Sequence, residues 1–73
     1  MPPEARDGRP TLTAREREVM RLLASGKTNH EIATELYVTD ETVKFHVRNI
    51  FRKLRVDNRT QAAYQAARLG IVG

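Results

Sequence analysis

The sequence predicts an all-α fold, and three observations carry that expectation. Apolar residues recur at three- and four-residue spacings, and no strand-like alternation appears anywhere. Cap-like residues punctuate the pattern: Thr13 with Glu16, Thr28 with Glu31, Thr39, and Asn58 with Gln61. Gly26 and Gly70 stand where two of the helices would have to stop.

Residues 1–10, MPPEARDGRP, are rich in Pro, Gly and charge and lack an apolar period, so they are expected to form a flexible arm or the remnant of a linker. The folded domain is expected over 11–73. Thr13 and Glu16 open a first helix with Val19, Met20, Leu22 and Leu23 inward, and Arg15, Arg17 and Arg21 alternate with Glu16 and Glu18 as a solvated, self-neutralised face. Thr28 and Glu31 open a short second helix that carries Ile32, Ala33 and Leu36. After a break at Tyr37-Val38, Thr39 caps a third helix. Asp40 and Glu41 occupy its first turn, where the helix dipole favours acids, and it runs to about Leu54. Asn58 and Gln61 open the fourth helix, with Ala62, Ala66 and Leu69 towards the core.

A chain of 73 residues makes one domain with too little interior for a deep catalytic cleft. There is no Cys, hence no disulfide framework or thiolate metal site, and no apolar run approaches the ~20 residues of a membrane span. The start lacks the apolar segment of a secretory signal. A cytoplasmic location follows as the expectation. The net charge is +4, but residues 44–59 hold Lys44, Arg48, Arg52, Lys53, Arg55 and Arg59 against Asp57 alone, a local +5 that leaves −1 for the rest. A basic segment on a near-neutral body points to one docking face rather than general basicity. The alternative is a set of cations that merely solvate a helix.

The third helix reads two ways. At about 100° per residue, Val43, Val47, Ile50, Phe51 and Leu54 gather into a core seam, while Glu41, Lys44, Phe45, Arg48 and Arg52 lie opposite. A basic face that also displays a phenylalanine is costly in water. It suits the DNA major groove, which has phosphates on its rims and base edges and thymine methyls on its floor. The second and third helices are separated by only about three residues, a connection that forces a sharp crossing, and small Ala33 lets the backbones approach. This is the helix-turn-helix arrangement, whose second member enters the major groove.

These residues resemble a known family. LTARERE, Gly26, TNHEIATEL, TVKFHV, KLRV and NRTQAA occur in the order seen in the LuxR-type (FixJ/NarL) DNA-binding domain of bacterial transcription regulators, over Leu12 to about Ile71. The resemblance implies a four-helix domain that binds DNA as a dimer, with the third helix reading bases and the fourth forming the dimer contact. Carried over by position, it puts base reading on Lys44, Phe45 and Arg48, and phosphate contacts on Thr28 or Asn29, Thr39 and Thr42, with Lys27 and His46 as further positions. Two positions depart from the general pattern: Tyr37 stands where many helix-turn-helix proteins keep Gly, and Phe45 is large for a base-reading slot.

Arg52, Lys53 and Arg55 lie further along the third helix and are expected on the DNA backbone, where contacts position without selecting sequence. Phe45 has a structural alternative, closing over the helix end or packing on the arm. His46 borders the seam, so half-buried packing competes with a phosphate contact, and nothing near His30 completes a metal set. On the fourth helix Ala63, Tyr64 and Ala67 form a patch without charge, which either meets a symmetry-related copy or completes the core edge.

The expected partners are double-stranded DNA, a second copy of the chain on that DNA, and RNA polymerase. No cofactor, metal, membrane or small-molecule substrate is expected. The sequence supports an output domain of a response regulator or ligand-sensing regulator. A sigma-factor-like promoter-reading domain shares the LTARERE-like run, but that likeness fades after the third helix. A protein-interaction bundle is opposed by the basic face. An enzyme is opposed by the lack of a nucleophile–base pair, metal set or glycine-rich phosphate loop.

Overall fold

The computed structural model describes residues 12–70, so the arm at 1–10 lies outside the described residues. Four helices and no strand are found there: α1 (Ala14–Ala24), α2 (Asn29–Leu36), α3 (Asp40–Leu54) and α4 (Arg59–Arg68). The all-α expectation and all four helix starts hold.

Local chemistry sets each boundary. Thr13 and Thr28 form complete capping boxes: each hydroxyl accepts from the backbone N–H three residues on, and the Glu carboxylates of Glu16 and Glu31 accept from the Thr N–H groups in return. Thr39 caps α3 through the Thr42 N–H, without a carboxylate to complete the box. Asn58 caps α4 by accepting from the Gln61 N–H, but Gln61 Oε1 reaches the Asp57 N–H rather than that of Asn58. Such caps typically contribute about 1 kcal/mol each.

Helix ends depend on left-handed residues. Gly26, at φ 97°, lets its own N–H and that of Lys27 return to the Leu23 and Leu22 carbonyls, closing α1 as expected. The ends of α2 and α3 use the same conformation without glycine. Tyr37 has φ 59° and Arg55 φ 56°, and the following N–H groups of Val38 and Val56 bond back to Ala33 and Phe51. The conformation that usually selects Gly in this turn is therefore present, held by a tyrosine.

The four apolar stripes meet in one core containing Val19, Met20, Ile32, Val43, Ile50 and Ala62, with Leu12 closing it from outside α1. α1 packs on α3 and α4, and α2 packs chiefly on α3. Ala33 is buried beside the turn, where its small side chain suits the close approach of α2 to α3. Phe51 packs at the edge of the core, only half-buried.

Two sequence expectations need correction. Glu16 does not belong to a solvated face: it is 5% exposed, while Arg15 and Glu18 form the exposed ion pair at 3.6 Å. Lys53 does not extend towards a DNA backbone, because its ammonium lies 2.8 Å from Glu16 Oε1 and ties α3 to the start of α1. The cap and the cation explain why this carboxylate tolerates burial: its oxygen accepts from the Thr13 N–H and from Lys53. Burial alone would push the Glu16 carboxyl up. The Lys53 ammonium and the Thr13 N–H more than offset it, so the group titrates below its ordinary range.

Candidate nucleic-acid interface

The outward side of α3 follows from its own sequence. With Val43, Val47, Ile50 and Leu54 buried, the helix must turn Glu41, Lys44, Phe45, Arg48 and Arg52 away from the core, and all five are exposed. Lys44, Arg48 and Arg52 follow one another at four-residue intervals and so form a cationic stripe along the helix. Beside it Phe45 is 55% exposed, its ring edge-on to the His46 ring at 5.7 Å between centroids. His46 is half-buried. Lys44 Nζ lies 3.4 Å from Glu41 Oε1, an exposed pair that a stronger anion could displace at little cost.

The opening turns of α2 and α3 are neighbours, since His30 Nδ1 lies 3.2 Å from Asp40 Oδ1. Thr28 and Thr39 cap these two turns and are exposed. Each hydroxyl accepts a backbone N–H. The Thr28 hydroxyl proton remains available to donate, and Thr39 shares a hydroxyl–hydroxyl bond of 3.0 Å with half-buried Thr42. At Thr28 the Glu31 carboxylate is held below its ordinary range, first by the Thr28 N–H. Lys27 is half-buried and lies 3.7 Å from Glu35 Oε1. Arg55, at the C-cap of α3, is exposed.

The basic segment is thus divided in use. Of its six cations, Lys44, Arg48, Arg52 and Arg55 face outward, whereas Lys53 turns to Glu16 and Arg59 turns to α2. The Arg59 guanidinium donates to Asn29 Oδ1 at 2.7 Å and to the Lys27 carbonyl at 2.5 Å. Sequence reasoning missed both inward roles. Lys53 carried a weak signal, since it lies three residues after Ile50 and beside Leu54, on the flank of the seam. Arg59 carried none, because its acceptors are 30 and 32 residues away.

On α4, Ala63 is half-buried and Ala67 exposed, while Tyr64 is 64% exposed. The patch is not free of charge, as the wheel suggested: the Arg68 guanidinium carbon sits 5.9 Å from the centre of the Tyr64 ring. Among the described residues no group of His, Cys, Asp or Glu is arranged to hold a metal ion, and no helix is long and apolar enough to cross a membrane.

Known proteins are similar to this chain in sequence and fold. The family described as "Bacterial regulatory proteins, luxR family" matches residues 10–66. The transcriptional regulatory protein LiaR of Bacillus subtilis is 53% identical over 62 residues, which cover 85% of this chain and 29% of LiaR. The spore germination protein GerE of the same organism is 47% identical over 62 residues, covering 85% of this chain and 84% of GerE. The solved structure of transcription factor GerE superimposes with a TM-score of 0.79 at 37% identity, over 85% of this chain and 92% of that one. A Vibrio cholerae VqmA–ligand–DNA complex gives 0.79 at 27% identity, over 97% of this chain and 31% of VqmA. The family regulates transcription by binding DNA and is not an enzyme family. By the matched region, these relatives and the fold, the chain belongs to the LuxR family of bacterial regulatory proteins and carries its helix-turn-helix DNA-binding domain.

Proposed function

We propose that this domain reads a specific DNA sequence as a dimer on paired half-sites, with α3 in the major groove. The observation that carries the reading is the outward stripe of Lys44, Phe45, Arg48 and Arg52, flanked by the capped openings of α2 and α3. Arg48 has the planar fork for the O6 and N7 edge of guanine, Lys44 reaches the same acceptors as a point charge, and Phe45 offers an apolar edge for a thymine methyl. Thr28 and Asn29 donate to phosphates at the groove rim, as do Thr39 and Thr42 together through the one hydroxyl proton that their mutual bond leaves over. Lys27, His46, Arg52 and Arg55 add contacts that fix register without reading sequence.

Ala63, Tyr64 and Ala67 form the dimer contact. Two small side chains allow a symmetry-related helix close, and two-fold symmetry then requires an inverted repeat. The module works in the cytoplasm as the output half of a response regulator or ligand-sensing regulator, and RNA polymerase is its downstream partner. Two similar proteins support that range of contexts: the shared region is most of GerE but under a third of LiaR. The test is to footprint the domain on genomic DNA and then titrate the best site and its isolated half. Two copies on the whole site, with tighter binding than on the half-site, are expected. One copy on the best natural site would contradict the dimer.

A further inference from the structure

We infer that Arg59 is a positioning residue for DNA-backbone binding, acting through Asn29 and Lys27 at the start of α2; the inference rests on the DNA-binding reading above. Arg59 is the first residue of α4, and α4 has no acid in its first turn. A cation at a helix N-terminus opposes the dipole, and here it also lies against the N-terminus of α2. Helix stability therefore does not explain it. Its two hydrogen bonds do: they reach the residues on either side of the Thr28 cap, the Lys27 carbonyl and the Asn29 side chain. Only a planar fork with several donors spans both acceptors at once.

The consequence is chemical as well as mechanical. An asparagine amide can present either its oxygen or its NH2 to a neighbour. With Oδ1 committed to Arg59, the Asn29 amide has its NH2 as the group to offer elsewhere, a donor suited to a phosphate oxygen. The Lys27 carbonyl is fixed in the same step, which sets the peptide leading into Thr28. The Thr28 N–H is already bonded to Glu31, so its hydroxyl proton is the donor at that position. Arg59 thus orients two donors towards a phosphate without having to touch DNA.

The experiment compares Arg59→Gln, Arg59→Lys, Asn29→Ala, Asn29→Asp and the Arg59→Gln/Asn29→Ala double variant, all below their melting transitions. Each is titrated across salt with the footprinted duplex and with a random duplex. Arg59→Gln and Arg59→Lys should each weaken both duplexes by the same factor, on the order of fivefold, and neither should lower the salt slope by the roughly one unit that loss of a direct cation–phosphate contact gives. The double variant should bind no more weakly than Arg59→Gln alone. Asn29→Asp keeps an acceptor for Arg59, so it should melt no lower than the parent protein, yet it should bind both duplexes more weakly than Asn29→Ala. The proposal is overturned if the two single losses multiply in the double variant, which would make Arg59 a direct contact. It is equally overturned if Arg59→Gln lowers melting but leaves affinity intact, or if Asn29→Asp binds like the parent. Loss of the underlying reading looks different: the unsubstituted domain would bind no duplex, and the proposal would fall with it.

Discussion

At Glu16 one carboxylate serves both a helix cap and the tertiary structure. It accepts from the Thr13 N–H and from Lys53, and these outweigh burial, so its folded pKa lies below its ordinary value. A lowered carboxylate contributes stability that is fully present above its unfolded pKa and is lost as pH falls through the folded one. Glu16→Gln should therefore cost about 1–3 kcal/mol at neutral pH, with the gap to the parent closing as pH falls below about 4. Thermal melting across pH checks this, and a constant gap would contradict it. Phe45 calls for the opposite outcome. Its ring is more than half exposed and touches His46 rather than the core. Phe45→Ala should leave the melting temperature unchanged while weakening binding to the preferred duplex by about 1 kcal/mol. Melting lowered as much as by Val47→Ala would make the ring structural.

Among the elements, the turn between α2 and α3 combines a sharp change of direction with a strained residue. Tyr37 adopts φ 59° and is 95% exposed, so its side chain recovers little packing for a conformation that costs a non-glycine residue about 1–2 kcal/mol. Tyr37→Gly should stabilise the domain by roughly 0.5–1 kcal/mol after the greater flexibility of unfolded glycine is counted, measured by denaturant unfolding. A loss of stability would show that the ring makes a contact that offsets the strain. The elements themselves were legible in the sequence because their signals are local. Thr13 with Glu16 and Thr28 with Glu31 each close a box within four residues, and the seam of α3 is a matter of angle alone. The Asn58 cap was legible too, although its glutamine bonds one residue earlier than the pattern implies. What escaped were bonds between helices. A helical wheel places Lys53 and Arg59 by angle but cannot show that Glu16 and Asn29, 37 and 30 residues away, lie within reach.

For the whole molecule, the division of cations matters more than their sum. Four of the six in the basic segment face outward and two hold the helices together, so the charge available to DNA is smaller and more directed than composition suggests. Assembly follows from scale as well. A patch of Ala63, Tyr64 and Ala67 falls short of the ~1,200 Å² of a stable interface, so the free domain should be largely monomeric at micromolar concentration and gain its contact only when two copies share one duplex. Ala67→Glu should abolish cooperativity and leave half-site affinity close to the parent's, as sedimentation and paired titrations would show; unchanged cooperativity would move the dimer contact elsewhere. The central claim, that the outward face of α3 selects sequence, is tested most directly by titrating Lys44→Ala, Arg48→Ala and Arg55→Ala against the preferred and a random duplex over a range of salt. Lys44→Ala and Arg48→Ala should each cost about 1–3 kcal/mol on the preferred duplex and relax base choice, whereas Arg55→Ala should weaken both duplexes alike and lower the salt slope by about one unit. Equal losses on both duplexes for Lys44→Ala and Arg48→Ala would contradict it.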